Sequence, residues 1–281
     1  MTTLPMTTLR DKAELFHSLH TGGEVLVLAN AWDVASACLV EEAGARAVAT
    51  TSAGVAWSLG APDGDRLDRD RALDLVARVA AAVGVPVTAD IESGFADTPE
   101  GVAETVRGVL DAGAVGVNIE DARYDGSSPL RPVQEQCDRI AAARQAADAA
   151  GVPLYINARA DVYLCAVGDP AGRLDATLER ATAYLAAGAS GVFVPGVVDP
   201  ATVSALTGAI AAPLNILAGP AAPAVAELAG LGVARVSVGP RVVAAAYAAA
   251  RQATRELLTE GTYTGLAGAL DYDELNALLG G

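Results

Sequence analysis

Asp90 and Glu92 end the β-branched run VPVTADIE and form the sharpest pair of acids in the chain. A strand period of two turns both side chains to one face, about 6.6 Å apart along the strand. Carboxylates so placed repel each other unless a cation or a shared proton compensates. Glu120 ends the next such run, GVNIE, and can converge on the same spot. An oxygen-only site without His or Cys suits Mg²⁺ or Mn²⁺, with waters and substrate oxygens completing an octahedron. Arg159, in INARAD, is then the natural partner of an anionic substrate, because its planar fork can grip a carboxylate through two hydrogen bonds. It can equally pair with Glu120 or Asp161, and the two roles are compatible.

Other strand ends carry polar residues too: Asn30-Ala31-Trp32-Asp33, Thr50-Thr51-Ser52, and Asn215 in a later run. The small residues Thr51, Ser52 and Ala53 would let backbone N–H groups approach a ligand oxyanion closely. A single Asp after a strand is ordinarily a helix cap or a turn residue, and acids also pair with arginines. Five strand ends of the same character are harder to explain that way.

Some mechanisms are excluded by composition. Lys12 is the only lysine, and His17 and His20 are the only histidines; all three precede the first strand-like run. A Schiff-base lysine or a histidine metal cage is therefore not expected. Cys38, Cys137 and Cys165 are scattered and odd in number, which predicts a reducing, cytoplasmic setting. A net charge of −15 argues against nucleic acid or an anionic membrane as partner. No apolar run approaches the roughly 18 residues of a membrane span, and the first residues lack the apolar core of a secretory signal.

The elements that must position these residues follow from periodicity. Strands are expected near Val25–Leu28, Ala47–Thr50, Val85–Asp90, Val115–Glu120, Leu154–Ala158, Gly191–Val194, Leu214–Leu217 and Arg235–Val238. Ala-rich helix candidates lie between them, such as Asp70–Val83, Thr98–Ala112, Pro132–Ala150 and Leu174–Ala187. Glycine signals such as AGARAVAT and AGAVGVNIE stop a helix and launch the next strand. Eight such units predict a (β/α)₈ TIM barrel, in which active sites lie at the carboxyl ends of the strands. An open doubly wound sheet is the rival, but the G-x-G-x-x-G opening of its dinucleotide-binding form is missing. No linker divides residues 1–281, so one domain is expected, with 240–281 as a C-terminal helical extension.

The segments NAWD, TSAGVAWSLGAPDGD, TADIESGFAD, GVNIEDARYDG and INARADVYL resemble the isocitrate lyase/phosphoenolpyruvate mutase superfamily. The likeness runs in order from about Asn30 to Arg159, with looser similarity in PLNILAGP and VARVSVG. It implies a Mg²⁺-dependent barrel that binds an α-oxocarboxylate or its enolate. Asp90 would ligate the metal, Glu92 and Glu120 would hold it largely through water, and Asp63 would support the water shell. Backbone amides of Ser52 and Ala53 would meet the substrate's carboxylate or enolate oxygen, and Arg159 would bind the substrate.

The lid after GVNIED departs from that superfamily. Its lyases carry K-[KR]-C-G-H there, with the cysteine as acid, and its phosphonomutases a lysine and an asparagine; this chain has Asp125-Gly126-Ser127-Ser128. Cys137 and Cys165 lie outside the loop. The segment reads as a mobile lid or as a plain exposed loop, with solvent or Tyr124 as proton source. The expectation is a Mg²⁺-dependent carbon–carbon lyase acting on a small 2-oxo or 2-hydroxy carboxylate. The alternatives are a phosphonopyruvate-type mutase or hydrolase, and a catalytically idle oxoacid-binding barrel. The resemblance also implies a homo-oligomer, a tetramer or dimer built through the C-terminal helices.

Overall fold

The computed structural model describes residues 8–124 and 126–280, and its strands close a parallel barrel. The nine strands are β1 (Leu26–Leu28), β2 (Asn30–Ala31), β3 (Val48–Thr50), β4 (Val87–Asp90), β5 (Gly116–Glu120), β6 (Tyr155–Arg159), β7 (Gly191–Val194), β8 (Leu214–Leu217) and β9 (Arg235–Ser237). They are hydrogen-bonded in the order β1-β9-β8-β7-β6-β5-β4-β3-β2. β1 pairs with β9 and β2 with β3, so the two are halves of one stave broken at Ala29. Counted by staves, the barrel has the eight that the sequence predicts. Residue Asp125 of the lid lies outside the described residues, as does the extreme amino terminus.

The helices follow their caps. After α1 (Leu9–Thr21), Asp33 caps α2 (Val34–Glu42) by accepting from Ser36 N at 2.7 Å, so this strand-end acid has the plain structural role. The stretch Thr51-Ser52-Ala53 is not a simple joining turn: Ser52 opens the short helix α3 (Ser52–Ser58). The expected helices then appear within a residue as α4 (Arg69–Ala82), α5 (Pro99–Asp111), α6 (Val133–Ala149) and α7 (Arg173–Ala186). Proline in the first turn of α5, behind the Thr98 cap, fits the rule that a helix start needs no N–H there. After α8 (Pro200–Ala209) and α9 (Val225–Gly230) come α10 (Arg241–Thr259) and α11 (Tyr272–Leu279), the expected C-terminal extension. Among the described residues, no helix is long and apolar enough to cross a membrane.

Strand alternation separates core from interior. In β5, Val117 and Ile119 pack with Val106, Val109 and Ile140 beneath the helices, each burial contributing roughly 1.5–3 kcal/mol. Asn118 and Glu120 alternate to the other face, inside the barrel. The bottom is plugged by α1, where Phe16 and His20 pack edge and face against Tyr155. Burial pushes the His20 imidazole down to about 3, so it stays neutral, far from the strands' carboxyl ends.

Candidate active site

The ends of β3, β4, β5 and β6 deliver polar residues to one mouth. Register aligns Asp90 with Asn118 and Glu120 with Arg159. Arg159 Nη1 is ion-paired with Glu120 Oε2, and Nε donates to Asp161 Oδ1 at 2.7 Å. The Arg159 guanidinium carbon also lies 5.9 Å from the centre of the Phe193 ring. Asp161 is in turn fixed by its own amide, which donates to Asp121 Oδ1 at 2.9 Å. Tyr184 and Arg180 bond the other Asp121 oxygen at 2.7 and 2.9 Å. The guanidinium is thus clamped on two edges, while Nη2 bonds none of the described residues.

Asp90 sits against the start of α3. Its Oδ2 accepts from Ser52 N at 3.2 Å and Ser52 Oγ at 3.0 Å, and its own amide donates to Thr50 Oγ1 at 2.9 Å. Thr51 and Ala53 flank this contact and are buried. Gly54 follows because a Cβ there would lie 2.7 Å from Thr51 Cγ2 and 2.9 Å from Trp32 Cβ.

Glu92 arrives differently from the expectation. β4 ends at Asp90, and Glu92 lies beyond it with φ 50°, so strand alternation does not set its direction. A left-handed backbone at a non-glycine residue is uncommon and costly, and here the surroundings impose it. The Asp65 amide donates to Glu92 Oε2, while Oε1 is buried without a partner among the described residues. Asp65 and Ser93 lock the turn through a 2.5 Å hydroxyl–carboxylate bond. Arg139, fully buried, donates to the carbonyls of Ser93 and Ala96.

Acidic groups crowd the mouth, and burial favours their protonated forms. Burial, with smaller contributions from Asp65, Asp63 and Asp90, pushes the Glu92 carboxyl up to about 8. Glu120 is held well above the usual carboxylate range by burial, against the pull of Arg159. Asp63, on the rim of the loop before α4, is also raised, first by desolvation and then by Asp90. Tyr124 donates to Glu120 Oε1 at 2.5 Å, and burial plus the Glu120 charge raise its phenol far above the ordinary value. A proton so held makes a poor acid toward carbon.

Oxygen donors and an orphaned, buried Glu92 oxygen fit a hard divalent cation. Among the described residues, no group of three or more His, Cys, Asp or Glu is drawn in around one metal position. The fit therefore rests on donor chemistry and on the buried Glu92 oxygen left without a partner among the described residues. The lid folds as a short antiparallel bridge, Ala122 to Leu130, with Arg123 and Arg131 both paired to Glu135. Cys137 is in α6, and Cys165 is exposed after β6; burial raises both thiols. Asn215 points into the interior, where its amide is bonded to Ser237 Oγ at 3.1 Å and to Asn157 Nδ2 at 3.1 Å.

A family model described as phosphoenolpyruvate phosphomutase matches residues 16–258. The chain belongs to the phosphoenolpyruvate phosphomutase family. Within it, an uncharacterized protein of Mycobacterium tuberculosis is 38% identical over 94% of this chain and 95% of that protein. The 2-methylisocitrate lyase of Escherichia coli is 32% identical over 74% of this chain and 70% of the lyase. A solved protein from Burkholderia cenocepacia superposes with a TM-score of 0.89 at 41% identity, covering 96% of this chain and 95% of that one. Membership of the phosphoenolpyruvate phosphomutase family agrees with the resemblance carried by the ADIESG and GVNIED motifs.

Sequence reasoning places Asn118 among the polar strand ends without giving it a role, and it does not find Asp65 or Arg235. The available signal for Arg235 is a lone charge inside the apolar run GVARVSV. For Asp65 there is none, since its amide meets Glu92 and its carboxylate meets Ser93 only through the folded turn.

Proposed function

We propose that the chain is a cytoplasmic, Mg²⁺-dependent carbon–carbon lyase acting on a small 2-oxo or 2-hydroxy carboxylate. The reaction passes through a pyruvate-type enolate, by retro-aldol cleavage or by decarboxylation of an oxaloacetate-like acid. One observation carries this reading: Glu120 and Asp161 clamp a single guanidinium, Arg159, at the strands' carboxyl ends, with Asp90 and Asp63 near enough to feel its charge and Glu92 beside those two acids. Asp90, Glu92 and Glu120 would hold the cation, and Asp63 would order its waters. Bound there, Mg²⁺ supplies Lewis-acid stabilisation of the oxygen on which charge develops. Mn²⁺ has the same preference for oxygen donors.

Arg159 binds the substrate carboxylate through its unbonded Nη2 edge, with Glu120 and Asp161 fixing its angle in advance. The amides of Ser52 and Ala53, with Thr51 beside them, approach the enolate or carboxylate oxygen. The lid excludes water and positions the distal end of the substrate. Because Glu120 holds the Tyr124 proton, solvent donates the proton to the departing carbon.

The family model's description favours a second reading, cleavage of a phosphorus–carbon bond as in a phosphonopyruvate mutase or hydrolase. Against it, the lid contains no lysine. A coupled assay for pyruvate, glyoxylate and oxaloacetate across a panel of acids, with and without Mg²⁺, decides between them. Carbon–carbon turnover that needs Mg²⁺ is expected; release of phosphate from phosphonopyruvate alone overturns the lyase reading.

The chain is also proposed to form a homodimer or homotetramer. An apolar cavity of about 490 Å³ beside α2 and the start of α10 is lined by Val25, Trp32, Leu39, Val40 and Val242. α10 itself buries only Val243 and exposes Tyr247, Leu257 and Leu258.

A further inference from the structure

Arg235 is buried inside the barrel at 1% exposure, and no carboxylate lies within ion-pair distance of it among the described residues. Its Nε and Nη1 have no hydrogen-bond partner among the described residues. A buried, unpaired guanidinium is costlier than an apolar side chain of the same volume, so stability does not explain it. The side-chain bond it makes among the described residues is informative: Nη2 donates to Asn118 Oδ1 at 3.1 Å. In the strand order, β9 and β5 are four staves apart in a barrel of eight, so the side chain crosses the full interior.

That bond fixes the Asn118 amide. Asn118 Oδ1 accepts from Arg235 and also from Asn157 Nδ2 at 2.9 Å. Arginine can only donate, so the oxygen must face downward and Nδ2 must face away from Arg235. Asn157 is held in its turn by Asn215 Oδ1 at 3.1 Å, and Asn215 by Ser237. Asn118 Nδ2 bonds none of the described residues. Asn118 is the register partner of Asp90 and lies two residues before Glu120 on the same strand face. The NH₂ group is therefore presented beside the carboxylates and beneath Arg159.

We propose that Asn118 is a substrate-binding residue whose NH₂ group donates to an oxygen of the oxocarboxylate, and that Arg235 is the positioning residue that holds this amide donor-outward. The proposal rests on the oxoacid-lyase reading above. The full positive charge behind the carbonyl end polarises the amide, strengthening it as a donor to the enolate oxygen. Burial pushes Arg235 down to about 10, and it remains a cation at neutral pH.

The test is calorimetric binding of oxalate, a planar dianion shaped like a pyruvate enolate, to the full chain in Mg²⁺. Asn118→Leu and Arg235→Met should each weaken oxalate about 10- to 100-fold, the loss of one hydrogen bond to a charged oxygen. Combined, they should weaken it no more than Asn118→Leu alone, because Arg235 acts only through Asn118. Arg235→Met should leave the melting temperature unchanged or higher, and Arg235→Lys should recover part of the affinity. The double variant leaves no charge buried, so it keeps the test open if one single variant does not fold. Wild-type protein that binds oxalate while the variants bind equally well overturns this proposal alone. Wild-type protein that ignores oxalate overturns it together with the lyase reading. Additive losses in the double variant overturn the role given to Arg235.

Discussion

Glu120 and Arg159 are register partners on adjacent strands, β5 and β6, and their side chains are ion-paired inside the mouth of the barrel. The pairing leaves Arg159 oriented for a ligand, since Asp161 clamps a second edge and Nη2 bonds none of the described residues. It also leaves the other Glu120 oxygen to the Tyr124 hydroxyl, which donates to it at 2.5 Å. A site built this way gains a cation and an anion together more readily than either alone.

The first prediction concerns pH. The Glu92 carboxyl is raised from 4.5 to about 8, mainly by burial. A raised carboxyl binds its proton more tightly folded than unfolded, so its contribution is complete below about pH 4.5 and is lost as pH rises through 8. Metal-free protein should therefore melt at progressively lower temperature between about pH 5 and 8. Glu92→Gln should flatten that slope, and Mg²⁺ should do the same by compensating the charge. Thermal melts in EDTA across this range check it; a slope unchanged by Glu92→Gln sinks the assignment.

The second concerns the metal directly. EDTA should abolish turnover, and Mg²⁺ or Mn²⁺ should restore it. Asp90→Ala should remove most activity yet leave a folded barrel, because Asp90 is at the mouth and only half-buried. Full activity in Asp90→Ala would show that the cation, if any, is held elsewhere.

How much of this was legible in the sequence depends on which physical signal each residue leaves. The barrel, its strands and four of its helices follow from apolar periodicity and glycine stops, which are local and strong. Asp90, Glu120 and Arg159 sit at the ends of those runs, and the structure brings them together. Glu92 is near them for another reason than strand spacing: a left-handed turn and the Asp65 amide place it, and neither has a sequence signature. Helix α3 was hidden because Thr-Ser-Ala-Gly is also turn composition. The amide network of Asn118, Asn157 and Asn215 joins residues up to 97 positions apart (118 to 215), a relation set only by barrel closure.

The third prediction concerns assembly. α10 is exposed along most of its length, and the apolar cavity by α2 lies beside its first turn. A second copy covering both would bury surface that a lone chain leaves wet. Light scattering should return a multiple of the single-chain mass, and Leu258→Asp should shift the population toward monomer. A wild-type mass equal to one chain rejects the oligomer.

The last prediction separates the guanidinium from the lid. Arg159 is the one cation in contact with the carboxylate cluster among the described residues, and its position is fixed by two acids. Arg159→Ala should lower kcat/KM by about 10² or more, equivalent to losing a charged partner worth roughly 3 kcal/mol. In the proposed reaction the lid serines would position substrate and exclude water; Ser128 itself bonds the Leu130 carbonyl at 3.0 Å. A serine hydroxyl is a weak acid near neutral pH, so replacing Ser127 and Ser128 together by Ala should mainly raise KM. Arg159→Ala leaves Glu120 buried without its cation, so a melt must accompany the kinetics, and rescue by added guanidinium would show that the charge itself is needed. A dead double-serine variant beside a nearly intact Arg159 variant would move the chemistry from the strand ends to the lid.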